Sequence, residues 1–206
     1  MALPGNGTIP AVFAHRTRLA KETGTRIVEM VASQLLPSAI LTPSAFHNAL
    51  RVDMALGCST NTLLHLTALA HEAKVPFDLE LVNTISRSTP NLCRLSPVGT
   101  DHIEDLHKAG GIPAVLKALS EQALIDDTAL TVSGKTILEG LTLAPFVSKN
   151  EKVLRSTQAP YSQTGGLQVL WGNLAPNGAV VKKSAVSEKM MQHKIGRASC
   201  REILYI

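Results

Sequence analysis

Apolar positions along the chain recur mostly at helical spacing. Between Val12 and Gln34, Leu19, Ile27, Met30 and Val31 fall near a 3.6-residue period with Arg and Lys between them, which predicts a first helix. Gly24 weakens its middle, and Pro37 stops it. Thr42-Pro43-Ser44 opens a second helix, with Thr42 as N-cap and Pro43 in the first helical position; Phe46, Ala49, Leu50 and Met54 form its stripe and Gly57 ends it. Ser59 or Thr60 caps a third helix, Asn61 to about Ala73. Its Leu63, Leu64, Leu66, Ala68, Ala70 and Ala73 cover more than half its girth, the pattern of a central helix.

Asp78 begins a fourth helix carrying Leu81, Val82 and Ile85, and Pro90 closes it. Asp101 and Glu104 have capping-box spacing for a short helix that ends at Ala109-Gly110-Gly111. Pro113 starts the next helix, which runs to about Gln122. Thr128 to Val132 alternates as a short strand, and Ser133-Gly134 is a turn before a helix to Leu141. From residue 144 the composition changes: Pro145, Pro160, Gly165 and Gly166 mark a loop, Leu167–Trp171 reads as a strand, Pro176-Asn177-Gly178 as a hairpin turn, and Ala179–Lys182 as the return strand. A domain boundary is expected near residue 150, mostly helical before it and β after it.

The 206 residues are 45% hydrophobic and 17% charged, enough to bury a core and unlike a disordered chain. No run approaches the ~20 apolar residues of a membrane span, and the N-terminus has no basic region followed by an apolar core. Three widely spaced cysteines, Cys58, Cys93 and Cys200, fit a reducing, cytoplasmic setting better than a disulfide framework. The net charge of +4 comes entirely from the last 25 residues, with 6 basic and 2 acidic side chains; residues 1–181 balance at 14 of each. With this localised charge and 3% aromatic residues, neither nucleic acid nor membrane is expected as a partner.

Candidate chemistry is sparse. Gly134-Lys135-Thr136 has the end of a phosphate-binding loop, but Ala129 stands where the first glycine is needed, so a turn is the better reading. His71-Glu72 starts a zinc-protease motif whose fifth position is Val75. His65 and His71 point about 120° apart on a helix, so they present no common face to a metal. His102, Glu104, Asp105 and His107 form the densest polar cluster, before Gly110-Gly111, where the backbone can approach something closely; a pocket wall and a capped surface helix are both open. Gly57-Cys58-Ser59-Thr60-Asn61 places hydroxyls, an amide and free N–H groups at a helix start, which favours anions; simple capping needs only one of these residues. Cys58 has no cysteine nearby in sequence and reads as a small buried residue. The candidate pocket residues are thus Ser59, Thr60, Asn61, His102, Glu104, Asp105, Gly110 and Gly111.

Several phrases in order carry a resemblance: Asp53-Met54-Ala55-Leu56-Gly57-Cys58-Ser59-Thr60-Asn61-Thr62, Thr89-Pro90-Asn91-Leu92-Cys93, His102-Ile103-Glu104-Asp105-Leu106, Ala109-Gly110-Gly111-Ile112-Pro113, Leu130-Thr131-Val132-Ser133-Gly134-Lys135-Thr136, Gly165-Gly166-Leu167, and Gly172-Asn173-Leu174-Ala175-Pro176-Asn177-Gly178-Ala179-Val180-Val181-Lys182. Together, over residues 3–187, they resemble the dihydroxy-acid and phosphogluconate dehydratase family. The Leu-rich third helix and the Leu130–Thr136 phrase are closer to the branched-chain biosynthetic members than to the sugar-acid ones.

The resemblance implies an α/β fold class: the mostly helical later part of an N-terminal α/β domain over residues 1–150, then the first strands of a C-terminal β-rich domain over 151–187. Residues 188–206 are expected to be a tail outside the family. Within it, Lys194 to Glu202 resembles the translation of a sequencing-library adapter, the alternative being a native basic tail. The implied activity is a hydro-lyase converting 2,3-dihydroxy acids to 2-oxo acids in valine and isoleucine biosynthesis. The implied cofactors are an iron–sulfur cluster and magnesium (Mg), and the implied assembly is a homodimer. The family's cluster cysteines, magnesium ligands and catalytic serine have no counterparts in this sequence. No catalytic or metal residue is therefore carried over, and the chain reads as an internal fragment, inactive alone. A sugar-acid dehydratase and a non-catalytic helical binding module are the alternatives.

Overall fold

A computed structural model of the chain describes residues 1–143 and 150–191. The helices are α1 (Ala14–Ala32), α2 (Pro37–Ile40), α3 (Pro43–Leu56), α4 (Asn61–Glu72), α5 (Leu79–Arg87), α6 (Ile103–Lys108), α7 (Gly111–Ser120) and α8 (Ile137–Leu143). An antiparallel pair, β1 (Gln168–Gly172) and β2 (Ala175–Val181), follows, then a 3₁₀ turn (Lys183–Ala185) and α9 (Glu188–Met191). The α/β class expected from the sequence is the one observed. Most of the expected tail, from residue 192 onward, lies outside the described residues, as do residues 144–149.

The caps explain where the helices start. Thr42 Oγ1 accepts from the Ala45 N–H at 3.3 Å, and Pro43 occupies the first position of α3, where its missing N–H costs nothing. Asp78 Oδ1 accepts from the Leu81 N–H at 2.7 Å and starts α5. The cap of α6 falls one residue later than the sequence spacing suggests: the His102 N–H donates to Asp105 Oδ2 at 2.8 Å.

The central helix is α3, not the third helix predicted from its Leu content. Leu50, Met54 and Ala55 of α3 are fully buried. Leu50 and Met54 pack with Leu63, Val82, Ile85, Leu167 and Val169 on one side. Ala55 and Leu56 pack with Leu92, Leu106, Val115 and Leu119 on the other. Helix α4 buries Leu63 and Ala70 only, leaving Leu64 69% exposed and Leu69 48% exposed. Residue type set its breadth of apolar surface, but among the described residues only one face has a neighbour. A third cluster joins Leu19 and Met30 of α1 to Leu3, Ile9, Ile40 and Val132.

The hairpin forms with a different turn from the predicted one. Pairing runs Gln168–Val181, Val169–Val180, Leu170–Ala179 and Gly172–Ala175, so the chain reverses at Asn173-Leu174. Pro176-Asn177-Gly178 lies inside β2 at the irregularity, with Gly178 at φ +97°, where a side chain is strained. The strand predicted at Thr128–Val132 is a single bridge, Leu130 to Thr136, around the Gly134 turn.

Backbone-to-backbone approach fastens the hairpin to the helices. The Gly166 N–H donates to Met54 O at 3.0 Å and the Ser184 N–H to Gly166 O at 3.1 Å. Asn83 brackets Val169, donating from Nδ2 to its carbonyl and accepting its N–H at Oδ1, both at 2.8 Å. A Cβ on Gly166 would collide with the Cα of Gly57. Gly166→Ala is therefore expected to cost about 1–3 kcal/mol, because the clash is with main chain that cannot rotate away. Gly24→Ala in exposed α1, where nothing lies within 4 Å of the added carbon, is expected to gain about 0.5–1 kcal/mol. Urea midpoints of the two variants check both signs; an unchanged midpoint for Gly166→Ala would show that the contact is dispensable.

Candidate functional site

Among the described residues, the buried polar atoms without a hydrogen-bond partner gather where α3 turns into α4. Gly57 ends α3 in the left-handed region at φ +63°, and the N–H groups of Gly57 and Cys58 both reach Asp53 O, at 2.9 and 3.3 Å. This folds the chain back over the Asp53 side chain, which is 3% exposed. Neither carboxylate oxygen of Asp53 has a hydrogen-bond partner among the described residues. Burial pushes its pKa up to about 6; the Thr62 hydroxyl, the Cys58 thiol and the Lys182 ammonium oppose that rise in decreasing order. Thr62 and Cys58 face the carboxyl group without closing to hydrogen bonds of ordinary geometry. Burial, and then the charge of Asp53, hold the Cys58 thiol protonated. Burial also raises the Cys93 thiol, to about 12.

A second orphan lies beside the same turn. Ser184 Oγ is buried without a hydrogen-bond partner among the described residues, against the Cα of Gly57, where a Cβ would come within 2.9 Å of it. Asn91 Nδ2 reaches the Met54 and Ala55 carbonyls at 3.3 and 3.1 Å and ties off the last turn of α3. The site therefore draws on α3, the first turn of α4 and the segment after β2.

The predicted pocket residues divide between this turn and a separate place. Ser59 and Asn61 are exposed, Thr60 is half-buried, and Ser59 Oγ accepts from the Asn61 N–H at 3.3 Å. They sit on the outer side of the turn whose inner side is Asp53. His102 and Glu104 are exposed, and Glu104 pairs with Lys108 at 2.8 Å, so this side of α6 is a capped, charged surface. Gly110, at φ +109°, lines a cleft of about 900 Å³ together with Gly5, Thr8, His107, Lys117 and Arg155. The close approach at Gly111 is to the chain itself: a Cβ there would come within 2.7 Å of Thr8 Oγ1. Buried Thr8 in turn meets His107 Nδ1 at 3.2 Å.

Sequence reasoning missed Asp53, Lys182 and Ser184. Asp53 carried one readable signal, an acid inside the apolar run Val52-Asp53-Met54-Ala55-Leu56. Lys182 and Ser184 carried none, because their role depends on a contact between distant segments. Among the described residues no group of three or more His, Cys, Asp or Glu side chains could hold a metal ion.

Comparison with known proteins adds a second line. The family model described as dihydroxy-acid/6-phosphogluconate dehydratase N-terminal matches residues 1–140, and its C-terminal counterpart matches residues 152–202. A protein from Carboxydothermus hydrogenoformans named dihydroxy-acid dehydratase is 60% identical over 193 residues, 94% of this chain and 34% of that protein. Proteins of the same name from Acetivibrio thermocellus and Caldicellulosiruptor bescii are 55% and 56% identical over 194 residues, again 94% of this chain and 35% of theirs. The chain spans about a third of the length of these relatives.

The raised pKa of Asp53 has a definite sign in stability. The folded chain binds the proton more tightly than the unfolded one, whose carboxyl titrates near 3.8. The contribution is present in full below about pH 4, falls as pH rises toward about 6, and is lost above that. Its size is on the order of 3 kcal/mol. Asp126 and Glu139, both exposed and shifted downward, work the other way and lose their contributions in acid. Asp53→Asn isolates the difference: the variant should gain stability over the parent at pH 7–8, and the gain should shrink toward pH 4. A constant gap across this range, read from denaturation at each pH, would contradict the burial of an ionisable Asp53.

Proposed function

The chain belongs to the dihydroxy-acid/6-phosphogluconate dehydratase family, and on that premise we propose that it forms part of a hydro-lyase converting 2,3-dihydroxy acids to 2-oxo acids in valine and isoleucine biosynthesis. The observation that carries this reading is 53–60% identity over 94% of the chain to relatives named dihydroxy-acid dehydratase. The reaction breaks the C2–H and C3–O bonds, releases water and leaves an enol that tautomerises to the 2-oxo acid. The substrate is a small-molecule dihydroxy acid, and the complete enzyme works as a cytoplasmic homodimer.

An iron–sulfur cluster and magnesium belong to this proposal for the complete enzyme, and the described residues of the chain do not fit either. Ligation of a cluster needs thiolates. Cys58 and Cys93 are instead shifted toward the protonated form, mainly by burial. Asp53 is a single buried acid, without the several oxygen ligands a magnesium site requires. What this chain supplies is support for the substrate pocket. The Ser59–Asn61 turn presents two hydroxyls and an amide at the start of α4, and Gly110 and Gly111 shape the wall beside His107. The division near residue 150 follows the same reading, with the helical part in the first domain and the hairpin opening the second; the two family matches on either side support it.

Replacing the matching segment of the Carboxydothermus protein by residues 1–187 should give an enzyme that forms 2-oxo acid from a branched 2,3-dihydroxy acid. In that chimera Ser59→Ala with Asn61→Ala should lower kcat about tenfold, the cost of about 1.4 kcal/mol in lost hydrogen bonding, without changing the melting temperature. Turnover of sugar acids alone would move the assignment to the other branch of the family, and unchanged kinetics in the double variant would return the turn to capping. The isolated 206-residue chain, reconstituted anaerobically with iron and sulfide, should retain no stoichiometric cluster; a charge-transfer spectrum with matching iron and sulfide would overturn this.

A further inference from the structure

We infer that Asp53 is a proton-dependent positioning residue for the Ser59–Asn61 turn: its buried carboxyl group underlies the turn beside Thr62 and Cys58 and, once ionised, draws Lys182 and the end of β2 toward α3. That the turn serves a substrate pocket rests on the function proposed above; the proton-linked motion rests on the burial of Asp53, the backbone links around it and its electrostatics.

Three observations carry the inference. First, a carboxylate 97% removed from solvent with both oxygens unpartnered among the described residues is costly, and there are few ways to relieve it. A proton does so at low pH. At high pH it falls to the groups that act on the carboxylate: the Thr62 hydroxyl from α4, the Cys58 thiol from the turn, and the Lys182 ammonium from the end of β2. Cys58 is neutral, with Cys93 beyond it, so Lys182 is the cation that can compensate the charge.

Second, the Lys182 segment has its own unsatisfied group. The residue two further on, half-buried Ser184, has its hydroxyl oxygen enclosed against Gly57 without a hydrogen-bond partner among the described residues. A small shift of residues 182–184 changes the surroundings of both orphans together. Third, main-chain bonds tie the segment directly to the part of α3 that carries Asp53. The Ser184 N–H is anchored on Gly166 O, and Gly166 on Met54 O, one residue from Asp53. Lys183 Nζ reaches Thr164 Oγ1 at 2.8 Å and holds the neighbouring loop in step. Asp53 thus stands at the junction of the turn and the hairpin, and its charge state selects how closely the two meet.

The test is an NMR titration of the intact 206-residue chain, following the Asp53 side-chain carboxyl carbon and the backbone amides. The Asp53 signal should titrate with a midpoint near 6. The amides of residues 58–62 and of 182–184 should move with that same midpoint. Lys182→Met, a change at a half-buried position, should shift the Asp53 midpoint upward, and Asp53→Asn should abolish the shared transition in both segments. If Asp53→Asn does not fold, the parent and Lys182→Met titrations decide the matter. Amides at 58–62 that stay flat while Asp53 titrates, or an Asp53 midpoint unmoved by Lys182→Met, would overturn the inference. A dehydratase chimera without activity would remove the functional reading and leave these titrations unaffected.

Discussion

The structure depends on one close approach, that of Gly166 to Gly57. Helix α3 ends with carbonyls pointing out of its last turn, and a buried helix end needs donors for them. Gly166 supplies its N–H to Met54, Asn91 supplies its amide to Met54 and Ala55, and the Leu92 N–H reaches Ala55 at 2.7 Å. All three donors come from segments far along the chain, and two glycines without Cβ atoms allow the backbones to meet. Once they meet, the hairpin lies on α5, Leu167 and Val169 complete the cluster around Leu50 and Met54, and the loop from Asn91 covers the other side of α3. Each apolar cluster along α3 is thus closed by polar bonds at a single point.

That closure sets the electrostatics of the turn. Segments able to bury the end of α3 also bury Asp53, the one acid on its inner surface. The N-terminus of α4, which would otherwise attract a passing anion, has a carboxyl group facing its first turn. An incoming carboxylate would meet repulsion from ionised Asp53 as well as attraction from the free N–H groups. The hydroxyls of Ser59 and Thr60 and the amide of Asn61 suffer no such conflict with a substrate hydroxyl, which can donate as well as accept. If the turn faces substrate as proposed, it is better matched to a hydroxyl group than to a carboxylate.

How much of this the sequence disclosed depended on the range of the interactions. Caps are local, so Thr42, Pro43 and Asp78 were legible, and so was the hairpin. The hairpin turn was not: Pro176-Asn177-Gly178 has turn composition, but the pairing of Gly172 with Ala175 moves the reversal to Asn173-Leu174. The centrality of α3 over α4 was also hidden, since composition counts apolar side chains and not the neighbours that cover them. Ser59, Thr60 and Asn61 could be singled out as a polar helix start, and Asp53 stood out only as an acid within an apolar run; that it lies beneath the turn, unpartnered among the described residues, required the contacts of distant segments. Gly110-Gly111 was legible as a close approach, but its partner, Thr8, lies a hundred residues away.

The two thiols complete the contrast between supporting and reacting groups. A cysteine that ligates metal or attacks substrate needs its thiolate, which positive charge or exposure favours. Cys93 is buried among Leu92, Leu106 and Val115, and Cys58 lies against Asp53, whose negative charge discourages ionisation further. Placing an acid beside a thiol works against ligation, while it leaves the thiol a compact filler for the α3–α4 corner. The same placement suits a carboxyl group that gives up its proton only near pH 6 and a lysine that can answer the charge. The chemistry legible in these residues is therefore that of compact, protonated filling and of holding a turn in place, not of ligation or attack.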